Sequence, residues 1–383
     1  MTSRERLRMT LEHREPDRIP LDLASTQVTG ISVTACEKLR AYLGLDLRET
    51  EVCDAIQQIC IPDPDIMEAF GVDTRGLWPA TSHNTGFYDE DDGEFLSHID
   101  EWGLGYKKRK EGGLWYDLYL SPLSGKSLEG DIFDRYPWPE GGTISRFAGL
   151  RAQALAFREQ GYPIVLKSLC AGLLEMAIRL RGMEDCLVDL LLDKPNSGRL
   201  LDNILRIKLE YWQTALDELG DVVDVLAEAD DFGTQLSQLI SYDSFQEMIK
   251  PRQTELISFM RSRAPDTFIF FHSCGNIRDF LPAFIDMGID IINPVHITAA
   301  GMEPTALKKD FGKDVVFWGG GIDTQEVLPH GTPTQVRDHV KRNIEVFAPG
   351  GGFVFNTIHN IQADVPPENI VALYETVREF GVY

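Results

Sequence analysis

Eight short apolar segments recur along the chain, and stretches with helical periodicity separate most of them. The segments are rich in Val, Ile and Phe and lie at Ile19–Ala24, Val72–Trp78, Pro163–Ser168, Val222–Ala229, Thr267–Ser273, Ile289–Val295, Val315–Gly320 and Gly352–Ile358. Strands of this composition that alternate with helices are typical of parallel βαβ units. Eight of them fit a closed (β/α)8 barrel better than an open, doubly wound sheet. We therefore predict an α/β fold in which residues 1–383 form a single (β/α)8 TIM barrel domain.

The segments between the strands carry apolar residues three and four positions apart, which predicts amphipathic helices. These helices are expected at Phe147–Gln160, Met183–Leu192, Arg199–Leu219, Ser244–Ser262 and Thr334–Phe347. The Pro366-Pro367 pair predicts the start of a C-terminal helix, because proline is favoured in a first helical turn.

Two regions of the chain are additional to the strands and helices of a minimal barrel. Residues Leu39–Phe70 are expected to form an N-terminal helical extension that covers one end. Residues Thr85–Ser127 contain short alternating runs joined by Gly and Asp turns, which predicts a β-hairpin excursion. We interpret this excursion as a lid or a platform for a partner protein.

The charge balance excludes some classes of partner. The chain has 37 Lys and Arg against 60 Asp and Glu, a formal net charge of −23. Such a surface repels phosphate backbones, so we expect no nucleic-acid binding. No apolar run reaches the roughly 18 residues of a membrane span, and the charged N-terminal segment lacks the apolar core of a secretory signal. We therefore expect a cytoplasmic protein that does not enter a membrane.

The six cysteines are scattered and show no paired spacing, so we expect free thiols. Cys170 and Cys186 lie in apolar surroundings and are expected to be small buried hydrophobic residues.

The segment FFHSCGN, Phe270–Asn276, is the sharpest local signal for chemistry. Residues two apart on a strand point to the same side, so His272 and Cys274 are expected to project together at the barrel mouth. Imidazole and thiolate are good zinc ligands, and a catalytic zinc uses three protein ligands plus an open position. A half-buried histidine beside an ordinary thiol is the structural alternative.

The segment LAEADDFGTQ, Leu226–Gln235, brings three carboxylates to the end of the fourth predicted strand. Alternation places Glu228 and Asp230 on one face, with Asp231 opposed to them or already in the turn. Such groups can act as a general base, bind a substrate or ligate a metal, or they can simply cap the next helix.

Polar residues also follow the later strands. His359 lies where the last strand should end, on the same rim as His272. Asp323 closes the GGGID segment, where three glycines let a ligand approach the backbone, although the spacing is not that of a nucleotide loop. Asn293 and Gln235 lie near other strand ends. We assign Asn293, Asp323 and Gln235 as candidate substrate-binding residues.

Several motifs together resemble the uroporphyrinogen decarboxylase superfamily, and they occur in order over nearly the whole chain. They are HREPDRIPLDL, DEWGLGYKK, EADDFGTQ, FHSCGN with the downstream DIINPV, GGGIDTQEVLP and IHNIQADVPPENIVAL. The resemblance implies a (β/α)8 barrel with its active site at the carboxyl ends of the strands, and a homodimer.

The superfamily contains two chemistries, and the sequence departs from one of them. True uroporphyrinogen decarboxylases carry an arginine-rich loop after the first strand, whereas this chain has DLASTQVTGISVT there and no arginine between Arg18 and Arg40. The corrinoid-dependent methyltransferases resemble it in the His-x-Cys-Gly segment, whose His and Cys bind zinc in that branch. Their third ligand is commonly a late cysteine, which is absent after Cys274. His359, which falls where the decarboxylases keep an active-site histidine, or Glu228 would take its place.

The hypothesis from the sequence is therefore zinc-assisted methyl transfer between a corrinoid protein and a small thiol, folate or methoxylated substrate. Zinc would be held by His272, Cys274 and either His359 or Glu228, with Asp230, Asp231 and His359 as candidate catalytic residues. The corrinoid would arrive on a partner protein. A metal-free porphyrinogen decarboxylase is the alternative, and a non-catalytic binding subunit is a third.

Overall fold

The computed structural model describes residues 1–46 and 48–383 and contains a curled, parallel seven-stranded sheet. Its strands lie next to one another in the order in which they occur along the chain. They are β1 (Arg75–Leu77), β2 (Ile164–Lys167), β3 (Val225–Ala229), β4 (Phe268–His272), β5 (Ile291–Asn293), β6 (Val316–Trp318) and β7 (Phe353–Val354). Each falls inside a predicted segment, and the predicted barrel-type α/β fold is confirmed.

The first predicted strand, Ile19–Ala24, occupies the gap between β7 and β1 without forming a regular strand. Leu21 makes a parallel bridge to Phe355 beyond the end of β7, and its carbonyl accepts a hydrogen bond from the Asp73 N–H just before β1. Pro20 has no N–H to donate, which interrupts any longer ladder. An extended segment thus completes the ring where the sequence predicts a strand.

Side chains alternate between the inside of the barrel and the surrounding helices. Val165, Val225, Phe270 and Trp318 pack in the interior, together with Leu7 of the first helix. Residues of the opposite parity pack in the larger cluster that the helices cover. Because both faces are apolar, the strands read as nearly continuous hydrophobic runs.

The helices pack around this sheet. Among the described residues, no helix combines the length and the apolar composition that a bilayer crossing requires. The α-helices are Ser3–Leu11, Val33–Tyr42, Pro64–Phe70, Ile132–Arg135, Leu150–Glu159, Leu173–Arg181, Met183–Leu192, Lys194–Leu219, Tyr242–Ser244, Lys250–Arg263, Leu281–Asp286, Pro304–Phe311, Val327–His330, Pro333–Phe347 and Pro367–Phe380, with 3-10 turns at Ile144–Phe147 and Arg278–Phe280 and a π-helical turn at Phe245–Ile249.

The N-terminal extension is only partly helical. Between its two helices, strands Glu51–Asp54 and Ile59–Ile61 pair in antiparallel fashion, and Ile31–Ser32 adds to them. The expectation of helices throughout Leu39–Phe70 is therefore corrected: the Val- and Ile-containing runs at residues 51–61 form a hairpin.

The excursion after β1 forms a four-stranded antiparallel sheet, which is larger than a single hairpin. Its strands are Glu90–Asp92, Phe95–Ile99, Gly105–Arg109 and Asp117–Leu120, each paired with the next along the chain. Tyr106 and the adjoining Trp102 and Leu104 are buried. Side chains of its last strand are exposed.

Candidate metal centre and cavity at the barrel mouth

Three side chains with metal-binding atoms meet where β4 and the last strand segment end. Donor atoms of His272, Cys274 and His359 all lie within 4.8 Å of one another. The imidazole rings of His272 and His359 are 5.4 Å apart between centroids and lie edge to face. His272 shares the inward parity of Phe270, so the strand itself directs it into the barrel mouth. The structure thus brings together the three residues that the sequence singled out; we call them the His–Cys–His group.

The ring of His272 is fixed by Asn293, at the end of the neighbouring strand β5. Asn293 Nδ2 donates to the Trp318 carbonyl, which identifies Oδ1 as the atom facing His272 Nδ1 at 2.5 Å. Because an amide oxygen only accepts, His272 donates from Nδ1, and in the neutral ring Nε2 then carries the lone pair. That nitrogen lies 3.4 Å from the Cys274 sulfur. Asn293 was predicted to bind substrate, but it is fully buried behind the histidine and acts in this structure as its orienting partner.

The backbone after β4 turns sharply at Gly275, as the sequence indicates. Gly275 has a φ of 83°, and an added Cβ would lie 2.4 Å from the backbone of Gly233. The Cys274 N–H donates to Asp231 Oδ1 at 2.8 Å. The Gly275 N–H donates to His296 Nδ1 at 3.1 Å. These bonds hold the cysteine loop against the mouth of the barrel.

His359 has an unusual backbone for a residue with a side chain. Its φ is 122°, outside the regions that such residues normally adopt. Backbone strain of this kind occurs mostly where a functional site requires it. Burial, together with the charges of His272 and His296, lowers the pKa of His359 to about 3. The imidazole is therefore neutral at physiological pH, which is the form that binds a metal.

The group fits a zinc ion in its chemistry and its spacing. Tetrahedral zinc with two imidazoles and one thiolate separates the sulfur and nitrogen donors by about 3.5 Å, close to the Cys274–His272 distance. Burial and the charges of Asp231 and Glu175 raise the pKa of the Cys274 thiol well above its usual range. A neighbouring cation is what would favour the thiolate there. Three ligands would leave a fourth position for water or a substrate, as in catalytic zinc sites.

Glu228 lies apart from this group. It has the outward parity of Leu226, and its carboxylate is 2.8 Å from Lys208 Nζ and accepts a hydrogen bond from the Trp212 indole at 2.5 Å. Both members of the ion pair are buried in the layer between the sheet and the helix Lys194–Leu219. Glu228 thus joins a helix to β3, and we leave it out of the ligand set proposed below.

Asp230 also points away from the mouth, as its shared parity with Glu228 predicts. Its two oxygens accept the N–H groups of Leu174 and Glu175, each at 2.9 Å, and so cap the helix Leu173–Arg181. Burial raises its pKa well above the usual range. In this structure Asp230 positions a helix at the rim.

Of the three carboxylates in Leu226–Gln235, Asp231 is the one that lines the cavity. It lies 3.9 Å from His272 Nε2, and its side chain retains 36% exposure. Burial and the charge of Glu175 raise its pKa. It is therefore placed to exchange a proton with a molecule in the cavity.

The other two candidate substrate-binding residues lie farther out. Asp323 accepts the N–H groups of Gln325 and Glu326 and so caps a turn after β6. The exposed Gln235 side chain donates to Gln325. Neither is among the residues that line the cavity.

The cavity itself lies between the barrel mouth and the four-stranded sheet. Its volume is about 130 Å³, and its lining includes His272, His359 and Asp231 on one side. Tyr106 and Lys167 also line it. Lys167, at the end of β2, is 5% exposed and was not predicted as a site residue. Val165 faces the barrel interior, and Lys167, two residues later on the same strand, therefore points to the same side. Cys170, expected to be buried, is partly exposed and also lines the cavity.

Residues 164–380 match the model of a family described as uroporphyrinogen decarboxylase (URO-D), and this span is more than half of the chain. The chain belongs to the uroporphyrinogen decarboxylase family. It is 30% identical over 181 residues to a uroporphyrinogen decarboxylase of Pseudoalteromonas translucida (strain TAC 125), with 43% of this chain and 48% of the relative covered. It is 26% identical over 188 residues to one of Chlorobium phaeobacteroides, with 48% and 49% covered. The chain thus spans about half the length of the curated relatives it matches.

Among solved structures, the chain is similar to a methyltransferase from Methanosarcina mazei. The TM-score is 0.65 at 19% sequence identity, and 99% of each chain is covered. At this identity the likeness shows a shared fold over the full length.

The family match separates two parts of the site. The whole His–Cys–His group and Lys167 lie within the residues that match the uroporphyrinogen decarboxylase family. The four-stranded sheet, which also contributes to the cavity lining, lies before them in the chain. Residues from outside the matched span thus complete the cavity.

Proposed function

We propose that this protein transfers a methyl group between a corrinoid carried by a partner protein and a small thiol, folate or methoxylated substrate. The observation that carries the proposal is the His–Cys–His group at the edge of a small cavity, with donors suited to zinc and room for one more ligand. The similarity in fold to a methyltransferase supports it.

The chain's own residues have distinct tasks in this proposal. His272, Cys274 and His359 would hold zinc, and Asn293 keeps His272 in the tautomer that can bind it. Zinc, when bound, would supply Lewis acidity that lowers the pKa of a thiol or polarises an ether oxygen. Asp231 would accept or return the substrate's proton, because its raised pKa brings it nearer to neutral pH. The same groups serve transfer in either direction.

The four-stranded sheet offers a surface for the corrinoid protein. Leu114, Trp115, Leu118, Tyr119 and Leu120 are each at least 40% exposed and lie in, or just before, its last strand. Neighbouring basic residues, Lys107 to Lys110, stand out on an otherwise acidic chain. Exposed aromatic residues and arginine are enriched at protein interfaces, and Trp115, Tyr119 and Arg109 are of these types.

Decarboxylation of a porphyrinogen is the second candidate, because the curated relatives are named uroporphyrinogen decarboxylases. Asp231 and His359 would then move protons without a metal. The cavity volume of about 130 Å³ is close to the roughly 150 Å³ that holds benzene in an engineered protein, which favours a small substrate over a tetrapyrrole within it.

Methylcobalamin demethylation by the zinc-loaded protein tests the proposal. Thiols, tetrahydrofolate and methoxylated phenols are supplied in turn, the phenols with reduced cobalamin, and the cobalamin spectrum is followed. We expect turnover with one class, its loss in Cys274→Ala, and its retention in Cys170→Ala, which alters a cysteine of the same cavity outside the metal group. Steady conversion of uroporphyrinogen to coproporphyrinogen by metal-free protein, without any methyl transfer, would establish the decarboxylase instead.

A further inference from the structure

We propose that Lys167, Arg179 and Tyr106 bind a carboxylate group of the small substrate, an inference that rests on the proposed function. These residues lie on the wall of the cavity opposite the His–Cys–His group. The substrate would be a small carboxylic acid whose far end carries or accepts the methyl group. We call these three residues the basic wall.

Lys167 lies at the end of β2 with its side chain in the cavity and in the narrow space beneath it. Among the described residues, no carboxylate lies within 4.0 Å of its Nζ, and Nζ makes no hydrogen bond to protein. Lys167 Nζ makes a cation–π contact with the Trp78 ring, whose centroid is 5.4 Å away. A buried ammonium without a partner is costly, so it is retained where a ligand supplies the missing charge.

The carboxylates that also line the cavity are hydrogen-bonded to, or paired with, groups other than Lys167. Asp54 accepts hydrogen bonds from the backbone and side chain of Gln57. Asp100 accepts the N–H groups of Trp102 and Leu104. Glu101 pairs with Arg146, and Glu175 pairs with Arg179 at 2.5 Å. None of these acids is in direct contact with Lys167 Nζ, and the nearby charges of Asp54 and Glu101 only partly oppose the lowering of its pKa by burial.

Tyr106 and Arg179 add donors beside Lys167. Tyr106 is 3% exposed, and its hydroxyl lies close to the Arg179 guanidinium. Burial raises the pKa of Tyr106, so the O–H remains a donor at all physiological pH values. One N–H group of the Arg179 guanidinium donates to Glu175, and the guanidinium has four further N–H groups that can donate. The ammonium and the phenol have no hydrogen-bond acceptor among the described residues, and the guanidinium has N–H groups beyond the one that Glu175 accepts, so the three form a set of donors that suits a carboxylate.

The separation of the two walls sets the length of the substrate. β2 is two strands from β4, and neighbouring strands lie about 4.8 Å apart, so the backbones at Lys167 and His272 are roughly 10 Å apart. Both side chains lean into the shared cavity. A molecule the size of a methoxylated benzoate can therefore present its carboxylate to Lys167 and its methyl group toward the His–Cys–His group.

Calorimetric titration of the full-length protein with matched ligands tests this inference. The probes are 4-methoxybenzoate and 3-methoxypropionate, each compared with its neutral amide of nearly identical shape. We expect at least one acid to bind ten times or more tightly than its amide. Lys167→Met should weaken binding of that acid about 10- to 100-fold and leave the amide unchanged, because only the charged hydrogen bond is lost. Lys309→Met, which removes an exposed lysine, should have no effect.

The result that overturns the inference is equal binding of acids and amides, or an acid preference that persists in Lys167→Met. Tyr106→Phe, which removes a single hydroxyl, should weaken the acid about tenfold and provides the same test if Lys167→Met does not fold. The titration needs neither corrinoid nor turnover. Loss of acid binding would thus leave the methyl-transfer proposal standing, and absence of turnover would leave the carboxylate site standing.

Discussion

The two walls of the cavity differ in how their polar groups are bonded. On the wall of β4 and β5, His272 is held by Asn293, and the Cys274 backbone is held by Asp231. On the opposite wall, the ammonium of Lys167 makes no hydrogen bond or ion pair to the described residues. The first wall is preorganised, so a cation can bind there without rearrangement of its ligands. The second carries a buried ammonium without a hydrogen-bond partner, and a bound anionic ligand would supply that partner. This contrast is the reason that we propose metal binding on the first wall and substrate binding on the second.

The largest effect should come from removing a ligand on the preorganised wall. We expect His359→Ala to lower the zinc affinity more than 100-fold, because one of three protein ligands is lost. Glu228→Gln should retain zinc and lower the free energy of unfolding by about 3 kcal/mol, because it leaves Lys208 buried without its partner. Competition with a chromophoric chelator and urea unfolding measure the two effects. Zinc loss in Glu228→Gln with retention in His359→Ala would reverse the ligand assignment.

The next effect concerns the support behind the metal ligand. Asn293→Leu removes the acceptor that fixes His272, and we expect the zinc affinity to fall about 10- to 100-fold. Asn369→Leu is the matched control, since this buried amide bonds only to backbone carbonyls far from the site. Both variants should lose stability, but only the first should lose zinc. Equal zinc affinity in the two variants would show that the orientation of His272 does not depend on Asn293.

A smaller effect is expected at the outer surface of the four-stranded sheet. The double variant Trp115→Ser and Leu118→Ser should raise the KM for a methylated corrinoid protein about tenfold and leave turnover with free methylcobalamin unchanged. Leu192→Ser, which alters a leucine with 83% exposure on another surface, is the control. If the KM for the corrinoid protein is the same in both, the partner docks elsewhere.

The smallest effect is a gain in stability on the basic wall. Burial lowers the pKa of Lys167, so the unfolded chain binds more protons than the folded protein between the two pKa values. The stability of the wild type should therefore rise with pH over that interval. Lys167→Met should be more stable by about 1–2 kcal/mol at neutral pH, and the difference should shrink as the pH rises. Thermal unfolding across pH measures it, and a variant that is less stable at neutral pH would mean that Lys167 is already paired.

The sequence predicts the preorganised wall better than the basic wall. His272 and Cys274 share one parity at a strand end and His359 follows the last strand, so barrel geometry alone brings them to the same rim. The face taken by Glu228 could not be predicted in this way. The run VVDVLAEA is apolar at both parities, because both faces of the strand are buried, and alternation does not say which is inside.

For Lys167, neither the face of the strand that it takes nor its lack of an ion-pair partner could be predicted from the sequence. The run PIVLKS is apolar on both faces, and the isolation of its lysine depends on how Asp54 and Glu101 are bonded in distant loops. The hairpin within Leu39–Phe70 escaped prediction because its strands are only three and four residues long, too short for a clear period.

Cobalt(II) substitution gives the most direct test of the central claim that the His–Cys–His group holds a metal. A cobalt–thiolate bond produces a charge-transfer band in the near ultraviolet. We predict this band at one equivalent of cobalt in the wild type and in Cys170→Ser, and its absence in Cys274→Ser. A wild type without the band, or a band that persists in Cys274→Ser, would contradict the account.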